Sequence, residues 1–149
     1  MKPLIVEEAA ELELIGSVAF YEERKTGLGL DFAAAARQAL NTIAAAPARW
    51  PIGKHGTRRY IMHRFPFVIH YIDMPDKLWI VAFAHAKRRP GYWTERLKSP
   101  PAGQSPRPIQ IPPSLFRTKP NSNRLNSFAK LVGVVADRGL LHSALDVER

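Results

Sequence analysis

The sequence predicts an α+β domain over its first two thirds, and three observations carry that reading. Apolar residues recur at helical spacing between residues 7 and 46. From Arg58 onward the period changes to alternation, in segments rich in β-branched and aromatic residues. Beyond Ser99, seven prolines fall within the 21 residues from Pro100 to Pro120, which excludes both a helix interior and a central strand there. The folded domain is therefore expected over 1–98. Residues 99–124 are expected to be a proline-rich, extended or disordered linker. Residues 125–149 are expected to be a poorly ordered tail that adds little to the fold.

Taken in order, Pro3 to Val6 reads as a short edge strand. Residues 7–25 read as a helix, with Leu14, Val18 and Tyr21 on one stripe flanked by Ile15 and Ala19. Six glutamates lie between residues 7 and 23, four of them in the first two turns, where the positive end of the helix dipole favours them. Thr26-Gly27-Leu28-Gly29 breaks the helix. A second helix is expected from about Leu30 to Ala46, with Asp31 in its first turn, Phe32, Ala36, Leu40 and Ile43 on one face, and Pro47 at its end. Arg58 to Phe65 and Phe67 to Ile72 alternate as strands, and Met74-Pro75-Asp76 marks a turn. Leu78 to Ala84 is apolar at every position, as suits a central strand covered on both faces. The simplest assembly is an N-terminal helical hairpin packed on a small antiparallel β-sheet. In the tail, Leu125, Phe128, Leu131, Val132 and Val135 repeat at helical spacing, but Gly133 and Gly139 weaken that helix by about 1 kcal/mol each.

The chain carries a net charge of +9, unevenly spread. Residues 1–36 hold 3 Lys/Arg and 7 Asp/Glu, residues 37–98 hold 12 and 3, and residues 99–149 hold 7 and 3. The positive charge thus centres on the middle of the chain, a field that attracts a polyanion or an acidic protein. A merely solubilising basic surface is the plain alternative. No cysteine is present, which removes disulfides, thiolate catalysis and zinc–thiolate sites and fits a reducing cytoplasm. No apolar run approaches the roughly 20 residues of a membrane span, and Glu7 and Glu8 cut short any export signal. A cytoplasmic protein with no membrane partner is expected.

Two segments stand out chemically. His85-Ala86-Lys87-Arg88-Arg89-Pro90-Gly91-Tyr92-Trp93 follows the most apolar strand and joins three cations to two aromatic rings. Such a set can hold phosphate by charge and stack on a base or a partner side chain. Metal-free phosphodiester cleavage needs a cation for the charged transition state and a group that moves a proton. Arg88 or Arg89 suits the first role, and His85 or Tyr92 the second. The plainer reading caps the core with Tyr92 and Trp93 and leaves the cations in solvent. Lys54-His55-Gly56-Thr57-Arg58-Arg59 is the second segment. Strand alternation puts Arg58 and Arg64 on one face and Arg59 on the other, so Arg58 and Arg64 would extend the basic surface or simply be solvated. His63 and His70 lack carboxylates at helpful spacing and read as structural or exposed histidines rather than metal ligands. Gly27-Leu28-Gly29 lacks the Gly-Lys that completes a phosphate-binding loop. No metal and no cofactor is expected.

The order of these features resembles the RelE/ParE superfamily of type II toxin–antitoxin toxins, often called plasmid stabilisation proteins. The resemblance spans roughly residues 3–97. It rests on Tyr21-Glu22-Glu23, Gly27-Leu28-Gly29, Asp31-Phe32, Pro47 and Trp50-Pro51. It continues through Arg58-Arg59-Tyr60, Arg64-Phe65-Pro66-Phe67, Tyr71, Ala84-His85 and Arg88-Arg89-Pro90-Gly91-Tyr92-Trp93. It implies a cytoplasmic growth inhibitor held inactive by a cognate antitoxin. Its target would be DNA gyrase, as for ParE-like members, or ribosome-bound mRNA, as for RelE-like endonucleases. Nuclease members carry an arginine early in the strand where this chain has Phe67, a basic residue near His85 or Ala86, and often a tyrosine matching Tyr92. The apolar Phe67 favours the ParE-like branch. On that branch Arg58, Arg59, Arg64, Lys87, Arg88, Arg89 and Trp93 are the expected contacts to a target or nucleic acid. On the nuclease branch His85, Arg89 and Tyr92 would be catalytic. An inactive, toxin-derived basic binding module is the remaining alternative.

Overall fold

The chain enters through a three-residue strand, β1 (Leu4–Val6), and continues into two helices, α1 (Glu8–Arg24) and α2 (Leu28–Ala45). Strands β2 (Arg58–Ile61), β3 (Phe67–Asp73) and β4 (Leu78–His85) follow. The computed structural model describes residues 2–107 and 109–116. The tail helix expected over 125–149 and the end of the linker lie outside these described residues.

The α1–α2 turn is built around a buried acid. Glu22 is 1% exposed, and its carboxylate accepts the N–H groups of Gly27 at 3.1 Å and Gly29 at 3.0 Å. A negative charge there meets the unpaired donors and positive dipole end of α2. The glycines are required for two different reasons. Gly27 has φ +89°, which L side chains rarely adopt. Gly29 has no room: a Cβ would lie 2.6 Å from the Val18 carbonyl oxygen and 2.8 Å from Glu22 Cβ.

The expected helical faces are the buried ones. Leu14 and Val18 of α1 meet Phe32, Ala36, Leu40 and Ile43 of α2 above the sheet. Tyr21, Phe32, Phe65 and Phe67 form an aromatic cluster with ring centroids 4.9–6.3 Å apart, mostly tilted or edge-to-face. Such pairs contribute about 0.5–1.5 kcal/mol each beyond their burial.

The sheet order is β1-β4-β3-β2. β2–β3 and β3–β4 are antiparallel, whereas β1 runs parallel to β4 through Leu4–Leu78, Ile5–Trp79 and Val6–Ile80. The sheet is therefore mixed, not wholly antiparallel. A parallel pair needs a long connection, and here both helices, β2 and β3 lie between the two partners. β2 also ends earlier than alternation implied, at Ile61, and Met62–Pro66 turn the chain into β3.

β4 is covered on both faces, as its composition demands. Leu78, Ile80 and Phe83 face the helices, while Trp79, Val81 and Ala82 join Trp93 in a second apolar cluster on the outer face. The register shifts between His70 and Tyr71, which pair with Ala82 and Ile80 and leave Val81 as the extra residue. This bulge lets Val81 and Ala82 both serve the outer cluster. Trp79 Nε1 donates to Glu7 at 3.1 Å, which satisfies its polar atom at the cluster's edge.

The described part of the proline-rich stretch has no long helix and no strand, yet it lies against the domain. Lys77 Nζ donates to the Pro101 carbonyl at 2.9 Å. Arg107 pairs with Glu11 at 2.6 Å, and the Gln110 N–H donates to the same carboxylate at 3.3 Å. Ile111 and Phe116 are buried in the main core. Composition alone described the backbone of this segment but gave no sign of these two anchors. Among the described residues, no helix is long and apolar enough to cross a membrane.

Candidate functional site

A groove of about 780 Å³ opens on the outer face of the sheet. Alternation along the strands decides its floor. Phe67, Ile69 and Tyr71 of β3 point to the helices, so Val68 and His70 point outward, joined by Ala84 of β4 and Arg59 of β2. Residues 51–55 and Thr57 form one wall, with Lys54 and His55. His85 to Trp93 supplies the other, with His85, Arg88 and Arg89.

Trp93 organises the interior. It is 6% exposed and anchored in the outer apolar cluster. The His70 ring stacks on it at 4.5 Å with a 30° tilt, and the His55 ring meets it edge-on at 6.2 Å. His55 has φ +62°, an uncommon conformation for a residue with a side chain, fixed at the groove wall. Burial pushes the His70 imidazole down to about 4, with the Arg59 charge acting the same way and Glu13 opposing. His70 is thus neutral near pH 7, able to donate one hydrogen bond and accept another.

The wall from His85 to Trp93 is tied to α1 by one carboxylate. Glu13 accepts the Phe83 N–H at 3.0 Å, the Tyr92 hydroxyl at 2.8 Å, Arg88 at 3.2 Å, and Arg96 at 2.7 and 3.2 Å. Arg88 also lies over the Tyr92 ring, 4.1 Å from its centroid. Burial, followed by the Glu13 hydrogen bond and charge, pushes the Tyr92 hydroxyl up to about 12. Tyr92 therefore stays protonated and spends its proton on Glu13. His85 Nδ1 accepts the Lys87 N–H at 3.0 Å.

The structure separates the sequence candidates. Arg59, His85, Arg88, Arg89, Tyr92 and Trp93 line the groove. Lys87 is exposed and does not line it. Arg58 turns to the other face of the sheet, where it donates to the carbonyls of Trp50 and Ala48. Arg64 pairs with Asp31 at 3.0 Å and lies over Phe65. The basic face expected from Arg58 and Arg64 does not form, because Arg64 lies beyond the end of β2 and Arg58 closes the chain around Trp50. The sequence reading missed Glu13, Arg96 and the place of His70 on the groove floor. Outward alternation from the buried Phe67-Ile69-Tyr71 set could have placed His70, but no local pattern pairs Glu13 with residues some 70–80 positions away. Phe67 is a core residue.

Among the described residues, no group of three or more His, Cys, Asp or Glu side chains is placed to hold a metal ion. No family model and no curated protein matches the chain.

Proposed function

We propose that this chain is the toxin component of a type II toxin–antitoxin pair of the RelE/ParE kind. In this reading it is a ParE-like growth inhibitor that acts on DNA gyrase, and the outer groove is its working surface. The observation that carries the reading is the convergence of Lys54, Arg59, Arg88 and Arg89 around a rigid Trp93 platform in one groove. Cations over an apolar, aromatic floor suit a negatively charged target surface. The ordered resemblance over residues 3–97 supplies the class. The gyrase branch is supported by what the groove lacks for cleavage: Phe67 is in the core, and the Tyr92 hydroxyl is bound to Glu13.

One observation favours the second reading, a ribosome-dependent mRNA endonuclease. His70 and His85 share the groove with Arg59 and Arg89. A neutral imidazole beside guanidinium groups is suited to take a proton from a ribose hydroxyl while the cations stabilise the phosphorane. Purified protein separates the two. The gyrase reading predicts inhibited supercoiling and no new cuts in ribosome-bound mRNA. Codon-phased cleavage that disappears in His85→Ala, with supercoiling unaffected, would establish the nuclease instead.

A further inference from the structure

Glu13 is one carboxylate facing two guanidinium groups, and they are not held alike. Arg96 reaches both carboxylate oxygens, at 2.7 and 3.2 Å, and donates to the Val81 carbonyl at 3.0 Å; its side chain is 17% exposed. Arg88 reaches one oxygen at 3.2 Å and is 54% exposed. Without Arg88, Glu13 keeps both Arg96 contacts, the Tyr92 hydroxyl and the Phe83 N–H. Its charge stays balanced and its acceptors stay filled. Arg88 is the surplus cation of the pair, resting on the Tyr92 ring, on a wall shared between the groove and a smaller hollow beside α1.

We propose that Glu13 is a positioning residue that holds Arg88 in reserve, and that Arg88 exchanges Glu13 for a phosphodiester of a nucleic-acid backbone seated in the groove. Arg59 and Arg89 supply fixed positive charge on the same groove, while the exchange adds one further phosphate contact only when a backbone is present. The departure is feasible because Arg88 is half-exposed and reaches Glu13 through one contact, while Arg96 stays to balance the nearly buried Glu13 carboxylate. The inference rests on the groove being the working surface, not on which target the toxin poisons.

Binding of fluorescein-labelled 12-nucleotide single-stranded RNA and of a 12-base-pair DNA duplex to the full chain, followed by anisotropy across a salt series, tests it. Arg88→Ala should weaken binding and flatten the slope of log K against log salt by about 0.7 for the single strand, or about 0.9 for the duplex. The arm with the tighter binding identifies the backbone source. Glu13→Gln keeps the side chain's shape and should tighten binding about two- to fivefold by freeing Arg88. That gain should vanish in the Arg88→Ala background. A gain of equal size in both backgrounds would be a long-range charge effect and would overturn the exchange. Arginine Nε–Hε spectra of the unmodified protein, titrated with the same oligonucleotides, give a second readout that no folding defect can mask. Arg88 should shift on binding while Arg96 stays fixed; both fixed, or both moving, overturns the proposal. Absence of any oligonucleotide binding overturns it too, and growth arrest by the full chain would then still support the toxin reading on its own.

Discussion

At the residue scale the fold depends on positions where the backbone, not the side chain, is the partner. Gly29 lies so close to the Val18 carbonyl and Glu22 that Gly29→Ala should destabilise the protein by about 1–3 kcal/mol in urea denaturation. Gly16, also helical, has nothing within 4 Å of a built Cβ, so Gly16→Ala should stabilise by about 0.5–1 kcal/mol. Equal effects at the two sites would contradict the packing of the hairpin turn. His70 gives a pH signature. Its folded value is lowered from the usual 6.5 to about 4, so between these pH values the unfolded chain binds a proton that the native state does not. Stability from this group is therefore complete above pH 6.5 and is lost as pH falls towards 4. The His70 resonances should titrate near 4, and His70→Gln should reduce the loss of thermal stability between pH 7 and pH 5. A midpoint near 6.5 would mean that the ring is not held against Trp93.

At the element scale, the described part of the proline-rich segment behaves as part of the domain. Ile111 and Phe116 fill the main core, and Glu11 ties the strand-free chain to α1 through Arg107 and Gln110. Sequence reading expects deletion of 99–149 to leave the melting temperature nearly unchanged; the packing predicts otherwise. Two large apolar anchors contribute about 1.5–3 kcal/mol each before the ordering cost of the segment. Truncation after Lys98 should lower the melting temperature on the order of 10 °C, as followed by circular dichroism. An unchanged value would return the segment to a linker. The contrast shows what is legible in sequence. Both helices, the glycine break and all four strands announce themselves through local pattern and turn chemistry. The uniformly apolar β4 even announced two covered faces. The parallel pairing of β1 with β4 and the two tail anchors did not, because pairing between Leu4 and Leu78, or burial of Phe116, is decided by contacts far along the chain. The same reason hid Glu13, whose partners lie on β4 and the following wall.

At the scale of the whole molecule, the chain's uneven charge acquires a location. The acidic N-terminal part spends Glu7, Glu11, Glu13, Glu22 and Asp31 on holding the fold together. The basic middle keeps Lys54, Arg59 and Arg89 exposed around the groove. Such a surface should be screened by salt, so any target contact made through it weakens as ionic strength rises. Arg59→Glu with Arg89→Glu reverses two exposed charges without touching the core. The double variant should fold normally and lose the growth inhibition proposed for the unmodified chain. Inducible expression of the full chain in bacteria without an antitoxin tests most directly the proposal that the groove belongs to a growth-inhibiting toxin. The unmodified chain should cause prompt growth arrest, and equal amounts of soluble Arg59→Glu/Arg89→Glu protein should leave growth normal. Normal growth of cells that contain the soluble, unmodified chain would contradict it.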